Sequence, residues 1–377
     1  MSDCTVPAGR HPIQPIHRIQ AAPIEPRYAR GWHCLGLADD YRDGKAHGLS
    51  IFGTRVVVFE GDDGQLRVLD GYCPHMGADL AQGRIDGDTL VCPFHGWTWA
   101  GDGTCAAIPY SQRIPPKARI KSWPVAEQNR LLFVWNDPEG HAPDPSLAIP
   151  RINACFSDEW SDWAIVKWVI NTNCRELIDN QSDMAHFGPV HGAPIDYFCN
   201  TFAGPIAYQK LRGGSSRLAE SGGLTADSAY FGPAYHVTLM TGEAQGQPIS
   251  SILLNSHVPI DTNSFELRFG VKVHKNPALT DAQNREMVDG YVHAAQSAFR
   301  EDVAIWDHKT RVDNPLLCEG DGPIYRLRQW YQQFYTDVAA LPAQHATVEV
   351  HEYRGDDMGW HKLADVPADA ASRLSTI

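Results

Sequence analysis

The chain has 377 residues, 43% of them hydrophobic and 20% charged, with a formal net charge of -13. That balance belongs to a folded protein large enough for two domains and excludes a disordered chain. An acidic surface repels phosphate backbones and anionic lipid, so neither nucleic acid nor a membrane surface is an expected partner.

No apolar run approaches the roughly 20 residues that span a bilayer, and the N-terminus lacks a signal-peptide core. A cytoplasmic location is therefore expected. The nine cysteines are scattered and do not form a disulfide framework.

Residues 1–28 read as an N-terminal arm. From 29 to 136, short β-type runs such as Thr54–Glu60, Leu66–Leu69 and Leu131–Trp135 alternate with Gly/Asp turns. This predicts a small all-β domain. Residues 137–150 are rich in proline and without helical period, as in a linker. The remainder, 151–377, mixes strands such as Ser250–Pro259 and Ser264–His274 with helices expected near 173–187 and 280–306. The fold class is α+β.

Within the β domain, Cys73-Pro74-His75 is followed by Cys92-Pro93-Phe94-His95. Two Cys/His pairs on separate loops suit a [2Fe–2S] cluster in which thiolates hold one iron and imidazoles the other. Zinc is the alternative for two cysteines and two histidines. Zinc fingers, however, pair Cys with Cys and His with His, whereas each pair here is mixed. Gly77, Gly83 and Gly96 let the loops fold closely over the group.

The segment from Asn173 to His191 carries a second constellation. Glu176, Asp179, Asp183 and His186 share one face of an ideal helix. His191 lies about 140° from His186 on such a helix, so a continuous helix cannot aim both at one ion. Gly188-Pro189 is expected to end the helix and pass His191 to a loop.

An acidic partner is available as Glu301 or Asp302. Thr280 with Gln283 reads as a capping box opening that helix. Asp302 lies within about 20° of Ala295 on its apolar stripe, and Glu301 about 120° away. Asp302 is therefore the expected ligand, with a buried ion pair to an arginine as the alternative. Two histidines and one carboxylate leave half of an octahedral iron(II) open, as oxygen activation requires.

These residues resemble the Rieske non-haem iron oxygenases over about Ala29–Val338, most closely the branch of 3-ketosteroid 9α-hydroxylase oxygenase components. The resemblance is carried by Ala29–Gly36, Asn173–His186, Arg311–Cys318 and Tyr325–Tyr335. It departs from the steroid pattern after His186-Phe187, where Gly188-Pro189 intervenes. The resemblance implies a Rieske β domain and a helix-grip catalytic domain with a curved antiparallel sheet.

Each subunit of an implied head-to-tail homotrimer would hold one [2Fe–2S] cluster and one mononuclear Fe(II). Asp183 matches the family's bridging aspartate, between a ligand histidine and the neighbour's cluster histidine. A flavin/iron–sulfur reductase fed by NADH would supply electrons, and a steroid-like molecule and O2 would be the substrates. Two alternatives are another hydrophobic substrate (aromatic or terpenoid hydroxylation, O-demethylation or desaturation) and a Rieske electron carrier without oxygenase activity. His186, His191 and Asp302 argue against the second.

Overall fold

The computed structural model describes residues 16–215, 219–244, 247–341, 348–355 and 359–363, so the first 15 residues of the expected arm lie outside them. The N-terminal strands are β1 (Gly31–Leu37), β2 (His47–Ile51), β3 (Thr54–Glu60), β4 (Leu66–Asp70) and β5 (Arg84–Asp86). They continue with β6 (Thr89–Val91), β7 (Thr98–Ala100), β8 (Cys105–Ala107), β9 (Ser122–Trp123), β10 (Val125–Gln128) and β11 (Leu131–Asn136). These form sheets ordered β1-β11-β10, β2-β3-β4-β9 and β5-β6-β7-β8. All of β11 is buried, which explains its unbroken apolar run as the central strand of its sheet.

Two tight hairpins shape this domain. Phe52-Gly53 and Asn129-Arg130 each place both central residues at positive φ, as the twist of a two-residue hairpin demands. Asn129 does more than turn the chain. Its Nδ2 donates to the Pro150 carbonyl at 2.8 Å and its Oδ1 accepts from the Ile152 N–H at 2.8 Å. The far end of the proline-rich segment is thus clamped to the β domain, and Leu147 within it is buried.

The second part is built on one antiparallel sheet of nine strands. Its members are β12 (Ala164–Ile170), β13 (Ile195–Ala203), β14 (Ile206–Ser215), β15 (Ala219–Phe231) and β16 (Tyr235–Ala244). β17 (Gln247–Pro259), β18 (Phe265–Val273), β19 (Val348–Arg354) and β20 (Gly359–Leu363) complete it. The order is β12-β18-β17-β16-β15-β14-β13-β19-β20, so the connection from β12 to β13 must cross most of the sheet.

That connection is the expected helix of 173–187, and the structure breaks it. α1 (Arg175–Ile178) runs into a 3-10 turn at Asp179–Gln181, the chain unwinds, and α2 (Phe187–His191) begins afresh. Tertiary hydrogen bonds hold the break open. The Gln181 carbonyl accepts from Asn200 at 2.8 Å and Gln209 at 2.9 Å, while its amide donates to Ala207 at 3.1 Å. Nor does Gly188-Pro189 end a helix; both residues lie inside α2. Proline fits there because first-turn amides have no helical acceptor to lose. Gly192, at φ 61°, ends α2 instead.

The second expected helix is α3 (Asp281–Trp306), and Thr280 and Gln283 form the capping box. Its stripe packs on the sheet, with Phe299 stacked on Phe269 at 4.2 Å and Tyr291 hydrogen-bonded to Ser251 at 2.8 Å. α4 (Ile324–Gln332) buries Leu327, Trp330 and Tyr331 against Phe202, Ala207 and Tyr230. No helix among the described residues is long and apolar enough to cross a membrane.

Candidate metal centres

The first centre lies on the loops before and after β5–β6. Both loops repeat one turn: Gly77 N–H donates to the Cys73 carbonyl at 2.8 Å, and Gly96 N–H to the Cys92 carbonyl at 3.1 Å. Both glycines have positive φ, so the same backbone shape delivers each Cys/His pair.

The cysteines are buried and the histidines only half-buried. Burial and the neighbouring Cys92 sulphur push the Cys73 thiol upward in pKa, which marks two sulphurs facing one another. The rings of His75 and His95 stand 4.7 Å apart, and Trp97 stacks on His75. In the same apolar cluster, the buried indole N–H of Trp99 faces the Cys73 sulphur and favours its thiolate form. Two sulphurs, two imidazoles and a buried donor beside a sulphur fit a [2Fe–2S] group.

The second centre joins α2 to α3. Nε2 of His191 is 3.3 Å from Asp302 Oδ1, and Nε2 of His186 is 3.9 Å from the same oxygen. His186, His191 and Asp302 each offer an atom within 4.8 Å of the others'. With metal–ligand bonds of ~2.1 Å, neighbouring donors on an octahedron stand ~3 Å apart, so the Asp302 oxygen already lies near ligand spacing from His191 and within an ångström of it from His186. Asp302 is 5% exposed, and its ion partners are the two histidines rather than an arginine.

His186 is presented in one tautomer. His186 Nδ1 faces the Asp183 carbonyl at 2.6 Å, an acceptor only, so the proton sits on Nδ1 and the Nε2 lone pair is free. The Asp183 carboxylate also approaches this ring, at 3.6 Å. Burial opposes ionisation of Asp183, but hydrogen bonding and charge from His186 outweigh it and lower its pKa. Burial likewise disfavours a charged His191, yet Asp302 and Glu301 together raise its pKa. A site that favours a cationic imidazole at His191 favours a cation in the proton's place. Glu176 and Asp179, on the expected polar face, turn elsewhere: they pair with Lys309 at 2.9 Å and Arg328 at 2.6 Å.

An apolar cavity opens on this centre, walled by Phe187, Leu211, Met240, Leu253, Ala298 and Phe299 among others. His236 also lines it, its ring nitrogens buried and unpartnered, and burial lowers its pKa to about 3. Sequence reasoning missed His236, which pairs with no ligand-spaced residue, and placed no contact on Glu301. Trp306 packs in the core with Leu267 and Val303.

Comparison with known proteins identifies both parts of the chain. Residues 31–124 match the Rieske [2Fe-2S] domain, and residues 134–335 match the 3-ketosteroid 9α-hydroxylase C-terminal domain. The chain belongs to the 3-ketosteroid 9α-hydroxylase family of Rieske oxygenases.

Within this family it is 43% identical, over 95% of both chains, to the oxygenase component of a 3-ketosteroid-9-alpha-monooxygenase from Mycobacterium tuberculosis. A Rhodococcus rhodochrous protein of the same description is 44% identical over 86% of this chain and 84% of its own. Among solved structures, dicamba monooxygenase bound to dicamba superposes with a TM-score of 0.68 at 22% identity, covering 82% of this chain and 98% of its own. At that identity the likeness concerns the fold alone.

Proposed function

We propose that this oxygenase component hydroxylates a 3-ketosteroid at the 9α position, using O2 and two electrons from a partner reductase. The carrying observation is the convergence of His186, His191 and Asp302 at the mouth of an apolar cavity. The relatives' activity supplies the substrate class. Bound iron would supply dioxygen activation, placing one oxygen atom in a C–H bond and releasing the other as water.

The chain's own residues do the rest. Cys73, His75, Cys92 and His95 would hold the cluster, with its imidazole side toward solvent. His186, His191 and Asp302 would hold the mononuclear ion. The apolar walls would orient a rigid hydrophobic substrate and exclude water. A neutral imidazole at His236 can meet a ketone oxygen without bringing a charge into the cavity.

The reading extends to a head-to-tail trimer, in which Asp183 would link His186 to a neighbour's cluster histidine. Support comes from the apolar rim of Tyr72, Met76, Phe94 and Tyr110, all exposed around the cluster loops. Asp183 itself is 38% exposed in its side chain and thus within reach of a partner. A flavin/iron–sulfur reductase oxidising NADH would reduce the cluster.

The test is incubation of the purified protein with a compatible reductase, NADH and 4-androstene-3,17-dione, following oxygen uptake and product mass. A 9α-hydroxylated product is expected. Absence of steroid-dependent oxygen uptake would overturn the substrate class.

A further inference from the structure

Glu301 precedes Asp302 on α3, and a carboxylate beside a ligand is easily taken for a spare ligand or a solvated side chain. Its position says otherwise. Glu301 Oε2 lies 3.3 Å from Nδ1 of His191, while Asp302 Oδ1 lies 3.3 Å from Nε2 of the same ring. The two ring nitrogens point away from one another, so the carboxylates approach from opposite sides. Glu301 cannot share an ion with Nε2 in this arrangement.

We propose that Glu301 is a positioning residue, holding His191 in the Nδ1–H tautomer and in the ring orientation that aims Nε2 at the metal. With Nε2 given to the metal, the ring's remaining N–H lies on Nδ1, where it donates to the Glu301 carboxylate. This rests on the metal-site reading given above and adds to it an outer partner for one ligand.

The two histidines are then held by different means. His186 is fixed by the main chain, through the Asp183 carbonyl at 2.6 Å. His191 closes a helix of five residues, just before the left-handed Gly192. Its ring depends on a side chain contributed from 110 residues away. The device is therefore removable by one substitution at His191 and not at His186.

The experiment measures Fe(II) retention by chelator competition in wild type, Glu301→Ala and Glu301→Gln, together with the EPR signature of the nitric oxide adduct. Glu301→Ala should weaken Fe(II) binding about 10–100-fold, the usual cost of losing an outer-shell partner, and broaden the adduct signal. Glu301→Gln, whose amide oxygen still accepts from Nδ1–H, should recover much of both.

The cluster's visible spectrum should be unchanged, which also reports that the variants fold. Wild-type Fe(II) affinity and signature in Glu301→Ala, or weaker binding in the glutamine variant than in the alanine one, would overturn the proposal. Wild-type Fe(II) affinity in His186→Ala would instead overturn the metal-site reading itself, so the two failures are distinguishable.

Discussion

Glu301 and Asp302 are consecutive in the chain, yet they meet His191 on opposite edges of its ring, each at 3.3 Å. One turn of α3 thus supplies both a candidate ligand and a candidate brace. Helical phase separates their roles: Asp302 belongs to the buried stripe with Ala295 and Trp306, and Glu301 reaches the site from its flank.

Removing the ligand should hurt more than removing the brace. Asp302→Ala is expected to lower Fe(II) retention by more than about 100-fold, beyond the 10–100-fold range of outer-shell losses, and to abolish turnover. Metal analysis after gel filtration checks this. The cluster spectrum should survive, and an Asp302→Ala protein that keeps its iron would show that the carboxylate is not a ligand.

Asp183→Asn preserves shape while removing charge. The backbone carbonyl that holds His186 Nδ1 is untouched, so iron content should stay near wild type. Electron delivery from the cluster should slow by about 10-fold or more, which stopped-flow reoxidation of the reduced cluster can read. Unchanged reoxidation rates would remove Asp183 from the transfer route.

Gly83 sits under the cluster loops, where an added Cβ would stand 2.4 Å from the Val91 carbonyl oxygen. Its φ of -79° is open to any residue, so the restriction is space alone. Gly83→Ala should cost about 1–3 kcal/mol of stability through overpacking, measurable by denaturant unfolding. Early cluster loss on heating should accompany it.

Burial keeps three imidazoles neutral: His33, lowered from 6.5 to about 4, and His236 and His257, each lowered to about 3. Unfolding would return each to about 6.5, so below that pH the unfolded chain binds more protons. Stability from these groups is complete above about pH 6.5 and falls as pH drops toward 4, on the order of 1 kcal/mol per group per pH unit. Denaturation midpoints between pH 7.5 and 5 test it. His257→Phe should make the decline shallower, and flat midpoints across that range would contradict the account.

Ala298 lines the cavity from α3. Ala298→Phe should fill space meant for substrate, raising KM about 10-fold or more with little change in iron content. Steroid-induced spectral change or product assay gives the comparison. An unaltered KM would move the substrate away from this wall.

Some of this was legible in the sequence because it is local. Each Cys/His pair lies within one turn, and Asp302 could be placed by counting around a helix whose start was marked by Thr280 and Gln283. The break before α2 was not legible. It depends on Gln181 bonding to Asn200, Gln209 and Ala207, partners that only the finished sheet brings near. Pro189 misled for a related reason: its effect depends on whether it falls within a helix or in its first turn. Glu301 was set aside because phase describes where a Cβ points, whereas a long side chain can reach around the helix flank.

The connection between β12 and β13 carries both candidate ligand histidines across a sheet whose strands are still to come in the chain. During synthesis, His186 and His191 emerge long before β14 to β18 can form and well before Asp302 exists. Closing the site means closing a loop of more than a hundred residues, a slow and entropically costly step for an antiparallel architecture. The mononuclear ion should therefore be a late arrival, captured by a finished scaffold instead of nucleating it. A chelator applied to the folded protein should empty the second centre without unfolding the scaffold around it.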